Sequence, residues 1–418
     1  MKRSISAILL TLTVSILTAQ QPVEVVTGAN YGNDVYYSLE NGIVREVART
    51  NWEIGFSTSS FSISILANQG AGVEVYTYPS GDTADWATLD TTGMAWIPMY
   101  NSLETVEEGA FTANDLGHPD YGWGTYNMST HFTTGDSLFV IRTVAGAWKK
   151  LAIIQKRGRT WEFKYASLDG SGEISEIINP ADYISVASTN RFLYYSIDNQ
   201  EVIEREPGVE AWDLLFTKYY DFTIPYSVSG ILTNEDHILA QQVSQTGLDQ
   251  ATFVDFNEGD FTTDMHVIGS DWKQFNGQTF SYDLTDSTVF FLKQRSETDS
   301  AYYKIYFTGF TSGMADGKYT FVQEKLSRVP VEAHLEASLF DLYPNPAADH
   351  LRIVVDHTGQ VGLDILDITG RTVLSGQYLT AGFTVLTVDV SSLIPGLHFI
   401  RLGLDGGAQP EVGRFVKE

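Results

Sequence analysis

The sequence predicts an all-β protein, and three observations point there. The apolar residues beyond Asn30 fall in short runs rich in β-branched, aliphatic and aromatic side chains, as in 137–143, 151–155 and 289–293, a composition that suits a pleated, half-buried surface. Clusters of Gly, Asn, Asp and Ser separate many of these runs, as turns separate strands. No long stretch sustains a helical period.

One aromatic stretch occurs twice. Val35-Tyr36-Tyr37-Ser38-Leu39 leads to Asn51-Trp52-Glu53-Ile54-Gly55-Phe56, and Leu193-Tyr194-Tyr195-Ser196-Ile197 leads to Ala211-Trp212-Asp213-Leu214-Leu215-Phe216. Both copies run from an aromatic strand to a Trp, an acid and a Phe at one offset. Further matches follow in the same order: Ile65-Leu66-Ala67-Asn68 with Ile231-Leu232-Thr233-Asn234, Asp136 to Val140 with Asp286 to Phe290, and Trp148 to Leu151 with Tyr302 to Ile305. This is an internal repeat with loops of unequal length. It predicts two domains, 20–185 and 186–327, each long enough for its own core.

The chain opens on Met1-Lys2-Arg3 and a mostly apolar run broken by Ser and Thr that closes on Thr18-Ala19-Gln20. Residues 1–19 are expected to be a cleavable signal peptide, since the run is too short and too rich in hydroxyls for a membrane span. No later run is long and apolar enough to cross a bilayer. Cysteine is absent, so disulfides and thiolate metal sites are excluded and stability must come from burial. With 26 basic against 52 acidic residues and a net charge of −26, phosphate backbones and anionic membranes repel the chain; nucleic acid is not a partner.

The copies differ most in their middle loops. Residues 76–134 are rich in Gly, Trp and Tyr, while the counterpart, 241–284, is shorter with fewer aromatics. Long aromatic loops on a rigid β scaffold are where binding concentrates. Residues 328–340 read as a linker to a third unit, 341–418. That unit begins with Leu342-Tyr343-Pro344-Asn345-Pro346, stiff because each proline fixes its own φ and extends the residue before it. Leu351, Ile353 and Val355 then alternate with polar neighbours, Val361, Leu363 and Ile365 form a second strand, and Asp367 to Arg371 make the turn.

The tail resembles the type A C-terminal sorting domain of the type IX secretion system. The matching residues are the Leu342 to Pro346 motif, the Asp367 to Arg371 turn, Leu393 with Pro395-Gly396, Ile400-Arg401, and Phe415-Val416-Lys417; His398 stands where the family more often has Tyr. The resemblance implies a β-sandwich, the type IX machinery as partner, and a secreted or outer-membrane-surface location. The two copies resemble the HmuY family of haem-capturing β-proteins, on Tyr36-Tyr37-Ser38, Trp52-Glu53 and Phe56, and on Tyr194-Tyr195-Ser196, Trp212 to Thr217, Tyr226 to Asn234 and Lys304 to Phe307. That resemblance implies tandem haem-binding domains with ligands between the middle and final strands.

Haem iron takes axial His or Met donors while aromatics cover the porphyrin. Copy one offers Met94, Met99, His118, Met128 and His131 there; copy two offers Met265 and His266, with His237 nearby. The expected ligands are His131 with Met99 or His118. The plainer expectation for each is a core methionine or a solvated loop histidine. No hydrolase, phosphate-loop or dinucleotide motif is present, so no enzymatic activity is expected, although a secreted hydrolase is the third alternative. Asp169-Gly170-Ser171-Gly172-Glu173 lacks the full calcium-loop pattern and reads as a solvated turn. The alternative to haem capture is an adhesion or glycan-binding β-module that stacks sugars on the tryptophans of 76–134.

Overall fold

The computed structural model describes residues 22–79, 81–184, 189–244, 251, 255–285, 287–295, 300–326, 340–404 and 411–418. The expected signal peptide, most of the linker and Asp286 lie outside them. The protein is all-β: among the described residues, helix is limited to short 3-10 turns, the longest being Thr83–Ala87. The chain forms two compact units, Met1–Ser327 and Arg328–Glu418.

The first unit begins with β1 (Val23–Val26), β2 (Asn33–Ser38) and β3 (Gly42–Ala48). Then come β4 (Ile54–Ser57), β5 (Ile65–Ala67), β6 (Glu74–Thr77), β7 (Pro98–Met99), β8 (Gly124–Asn127), β9 (Phe132–Gly135), β10 (Leu138–Arg142), β11 (Trp148–Arg157), β12 (Thr160–Ser167) and β13 (Ile174–Ile178). The second repeat supplies β14 (Phe192–Ser196), β15 (Glu201–Ile203), β16 (Leu214–Asp221), β17 (Tyr226–Thr233), β18 (Ile238–Ser244), β19 (Lys273–Asn276), β20 (Ser281–Leu284), β21 (Thr288–Gln294), β22 (Tyr302–Phe310) and β23 (Lys318–Leu326).

These strands build two lobes that trade elements. One lobe packs the sheet β15-β14-β4-β5 against the sheet β13-β12-β11-β10-β6-β7, with β8 and β9 joined to β11. Its core combines Ile54, Phe56, Leu193 and Tyr195 with Phe139, Leu151, Ile153 and Phe163. The other lobe packs β17-β16-β2-β3 against β1-β23-β22-β21-β18, around Val25, Val35, Tyr37, Leu214, Phe216, Phe290, Ile305 and Phe321. The cores therefore do not divide at 185/186. β1 to β3 precede the first lobe in sequence yet complete the second, and the β14–β15 hairpin of the second repeat completes the first.

The exchange is reciprocal. Tyr37 sits opposite Leu214 and Val35 opposite Phe216, while Tyr195 sits opposite Ile54 and Leu193 opposite Phe56. Side chains alternate across a strand, so Val35 and Tyr37 enter one core and Leu193 and Tyr195 the other. The opposite faces, Asp34 and Tyr36 on β2 and Phe192 and Tyr194 on β14, are also buried. They meet between the lobes.

The second unit contains β24 (Phe340–Tyr343), β25 (His350–Leu366), β26 (Thr372–Asp389), β27 (Gly396–Leu404) and β28 (Glu411–Lys417). β25 and β26 form one long hairpin around the Asp367 turn, whose carboxylate accepts from the N–H groups of Thr369 and Arg371. Early in its course β25 also pairs with β24, and later with β27. Gly359, at φ 140°, lies between these two pairings, in a backbone region that side-chain-bearing residues rarely adopt. Leu351, Ile353, Val355, Val361, Leu363 and Ile365 point into one core with Ile400 and Phe415. Pro344 and Pro346 both follow cis peptide bonds. Asn345 between them accepts from the Val416 N–H at 2.9 Å and donates to the Arg414 carbonyl at 3.3 Å. Ala347 pairs with Lys417 in a parallel bridge, so the two ends of the tail motif form one clasp.

Removing residues 22–50 should expose the second core, because Val25, Val35, Tyr37 and Leu39 leave it together. Burial of each contributes roughly 1.5–3 kcal/mol, and their sum rivals the ~5–15 kcal/mol net stability of a domain. Limited proteolysis of the shortened chain should cut within 207–326 at least tenfold faster, with protection restored by the 22–50 peptide added in trans. Unchanged resistance without the peptide would contradict the exchange.

Candidate functional site

The two Trp-acid pairs of the repeat occupy matching positions at the junction of the lobes. Trp52 meets the Tyr194 ring edge-on at 4.7 Å, and Trp212 meets the Tyr36 ring edge-on at 5.1 Å. Beside each Trp the acid holds the end of the traded strand. The Glu53 N–H donates to the Tyr195 carbonyl and its carboxylate accepts from the Ile197 N–H at 2.6 Å; the Asp213 N–H donates to the Tyr37 carbonyl and its carboxylate accepts from the Leu39 N–H at 2.6 Å. Asn68 donates to the carbonyls of Arg49 and Trp52 at 2.7 and 2.9 Å, and Asn234 donates to those of Val209 and Trp212 at the same distances.

Charge at the junction is not symmetric. Asp34 binds Arg49 at 3.0 Å through one oxygen and Arg205 at 2.8 Å through the other, and Thr217 donates to it at 2.7 Å. One carboxylate thus faces two buried guanidinium groups. Arg205 also lies over the faces of Trp52 and Tyr194, at 5.4 and 5.3 Å. Next to it, Glu206 accepts from the N–H groups of Arg191 and Phe192 and from the Tyr194 hydroxyl, at 3.3, 3.2 and 3.1 Å. Burial pushes its carboxyl up to about 7, although those hydrogen bonds act in the other direction. Burial, reinforced by Asp198, likewise raises Glu53 to about 7.

A cavity of about 140 Å³ opens here, walled by both repeats: Leu66 to Gly70 from one, Leu232 to Glu235 from the other, with Trp52, Trp212, Tyr36, Tyr194, Arg205 and Met265. In three of these lining residues a donor, Trp52 Nε1, Trp212 Nε1 and Arg205 Nε, is buried without a protein acceptor. A buried donor left unpaired costs about 1–3 kcal/mol, so these three groups make the junction a locally costly part of the fold.

The structure brings two of the expected haem ligands together and sets the third apart. His118 and His131 come together at the β8–β9 hairpin, where both rings approach Tyr126, at 5.6 and 6.2 Å. Each is exposed and bonds through Nδ1 to a tyrosine hydroxyl, Tyr121 for His118 and Tyr126 for His131. Met99 is not with them. It is 4% exposed in the core, and its sulfur accepts from the Thr77 hydroxyl at 2.7 Å, so it cannot reach a porphyrin without unpacking the lobe. Met99 does not fit the haem role. In the second repeat Met265 reaches the cavity, while His266 bonds the Tyr219 hydroxyl at 2.9 Å.

Two tryptophans of 76–134 are structural. Trp123 is fully buried and donates to the Ile63 carbonyl; Trp86 donates to Glu173 and lies beside the ammonium groups of Lys150 and Lys164. Trp96 is exposed, edge-on to Trp148 at 5.1 Å. The Asp169 turn is closed by Ser171, which donates to the carboxylate through its N–H and its hydroxyl. Among the described residues no group of three or more His, Cys, Asp or Glu is placed to hold a metal ion. Asp34, Arg205 and Glu206 escaped sequence reasoning because nothing local marks a charge that is buried by a strand from the other repeat.

Residues 341–415, which include the Pro-Asn-Pro motif and the long hairpin, match the family described as the secretion system C-terminal sorting domain. The tail is a sorting domain. It marks the protein for type IX secretion, and hence for release or display at the cell surface. Among the described residues no helix is long and apolar enough to cross a membrane. A solved structure of PorZ, described as an essential bacterial surface component of the type-IX secretion system of Porphyromonas gingivalis, is similar at 12% identity and a TM-score of 0.17. The match covers 70% of this chain and 44% of that one, so this chain corresponds to less than half of PorZ. Similarity at that level carries no argument about fold or function. No curated protein matches the chain. An HmuY-like domain is not shown by these comparisons.

The raised Glu206 carboxyl has a stability consequence of definite sign. As pH rises from the ordinary 4.5 toward 7, the unfolded chain releases this proton before the folded one does, so stability falls across that window and levels off above it. The full effect is about 3 kcal/mol. Urea unfolding at pH 5 and pH 8 should show Glu206→Gln losing less stability between the two than wild type, by an amount of that order. Identical losses would remove Glu206 as the source.

Proposed function

We propose that this protein is an exported binding protein that takes up one small molecule between its two repeats and carries out no reaction on it. One observation carries this reading: a largely apolar cavity at the junction of the lobes, lined by the reciprocal tryptophans Trp52 and Trp212 and by the matching turns of both repeats. Its volume of about 140 Å³ is close to the ~150 Å³ that accommodates a benzene-sized guest. The residues lining it include no histidine, and Glu206, whose carboxyl burial raises to about 7, is already held by the N–H groups of Arg191 and Phe192 and the Tyr194 hydroxyl. The sorting domain delivers this body outside the cell, where small molecules are encountered.

Screening benzene-sized compounds, neutral and acidic, against the full mature chain tests the reading. A bound compound should raise the Tm, by about 2.7 kcal/mol of added stability at a hundredfold excess over Kd, and should move the indole N–H resonances of Trp52 and Trp212. Leu66→Trp, which fills the cavity, should abolish both effects while leaving the protein folded. Resonances that stay fixed with every compound would sink the reading.

A second reading keeps haem at His118 and His131, because both imidazoles gather at Tyr126 and make their hydrogen bonds through Nδ1. A hydrogen bond at Nδ1 orients the ring and leaves Nε2 as the nitrogen that could meet iron. Hemin titration should then give a Soret shift that His118→Ala and His131→Ala each weaken. A spectrum equal to that of free hemin at excess protein would discard it.

A further inference from the structure

We infer that the outward face of the first lobe carries a second binding site, for a neutral oligosaccharide, in which Trp96 and Trp148 stack sugar rings while Glu74 and Arg142 bond their hydroxyls. The site is separate from the cavity between the repeats.

Strand register assembles it. Glu74 on β6 sits opposite Arg142 on β10, and Arg142 sits opposite Trp148 on β11. Val75 and Ile141, their neighbours in sequence, enter the core of the lobe, so by alternation Glu74, Arg142 and Trp148 share the outward face. Tyr76 lies two residues along that face from Glu74. Trp96, from the segment before β7, meets Tyr76 edge-on at 5.2 Å and Trp148 at 5.1 Å. Tyr100 directly follows β7, whose Met99 sits opposite Val75, and so falls beside Glu74; it stacks on Tyr220 at 4.0 Å, with Phe222 edge-on at 5.4 Å. From Tyr100 to Trp148 the row crosses four strands, roughly 14 Å at ~4.8 Å per strand. Rings stand at both ends and charged groups in the middle.

Two indoles are open here. Trp96 is 43% and Trp148 37% exposed, whereas Trp86 and Trp123 are buried. Each open ring is braced by the other and by Tyr76, so its orientation is set before a ligand arrives, which lowers the cost of binding.

The chemistry of the row selects the ligand. A pyranose presents an apolar face of C–H groups, suited to the negative face of an aromatic ring, and a rim of hydroxyls that both donate and accept. The middle of the row supplies both halves of that exchange. Glu74 accepts from Arg142 at 2.8 Å and from the Tyr76 hydroxyl at 2.6 Å; a carboxylate has about four lone-pair sites and a guanidinium five N–H donors, so both groups retain capacity, and both side chains are exposed. Paired, they add little net charge, and the −26 charge of the chain disfavours an anionic ligand. A protein partner fits less well. A stable protein interface takes ~800 Å² and about 20–30 residues a side, while the exposed apolar surface along this row is two half-open indoles, Ile97 and Phe222.

The test is calorimetry on the full mature chain with cellohexaose, xylohexaose and mannohexaose, set against the corresponding monosaccharides and against polygalacturonate. At least one neutral hexasaccharide should bind, at least tenfold tighter than its monosaccharide. Trp96→Ala and Trp148→Leu, at exposed positions, should each weaken it at least tenfold without lowering the Tm, and Arg142→Gln at least threefold. Leu66→Trp, which fills the cavity between the repeats, should leave sugar binding unchanged. No heat from any hexasaccharide at millimolar concentration would overturn the assignment, and so would binding that survives both tryptophan variants or polygalacturonate binding as tightly as the neutral sugars. Sugar binding lost in Leu66→Trp but kept in Trp96→Ala would move the ligand to the cavity and overturn this site alone.

Discussion

The first unit depends on one constraint: each repeat must lend its leading aromatic strand to the other. Tyr36 reaches the surface of Trp212 and Tyr194 that of Trp52 only because β2 pairs with β16 and β14 with β4. Every other feature of the junction follows from that pairing. Glu53 and Asp213 can hold the ends of the traded strands because those strands come from the far side, and Asn68 and Asn234 tie the Trp-bearing turns in place. Strands that serve as a core wall on one face and a junction wall on the other carry large side chains on both, which explains the paired aromatics Tyr36-Tyr37 and Tyr194-Tyr195.

The same constraint creates the cavity. Two nearly equivalent surfaces meet, and each brings a tryptophan whose indole N–H is buried without an acceptor. The gap is made more demanding by Arg205, a cation that Asp34 must share with Arg49. Buried ions of this kind gain little net stability over apolar packing, and here the network joins two guanidinium groups to Asp34 beside the Glu206 carboxyl that burial raises to about 7. The sorting domain is built on different terms, with its own core and with Asn345 joining the Pro-Asn-Pro segment to the last strand.

Much was legible from residues alone. The alternation of Leu351, Ile353 and Val355, the Asp367 turn and the Pro-Asn-Pro motif mark the sorting domain in the sequence, and the doubled Trp-acid signature marks the matching sites. In the Trp-rich segment Trp86 and Trp123 are buried and Trp96 stands out in solvent, a difference that no local pattern in the sequence marks. Met99 illustrates the same difficulty. A methionine among aromatics carries no mark that distinguishes a ligand from filler, and here neighbouring strands enclose it.

By itself, then, the sequence determined the all-β class, the repeat and the export address, because each is written in local periods, turn residues or motifs a few residues long. The tertiary structure alone decided which repeat completes which core, and so where the cavity lies and which charges surround it. The physical reason is that a period of two says which side chains share a face of a strand but is silent about which strand lies alongside. Tyr36 and Trp212 are far apart in the chain, and only the closing of backbone hydrogen bonds between β2 and β16 brings them together.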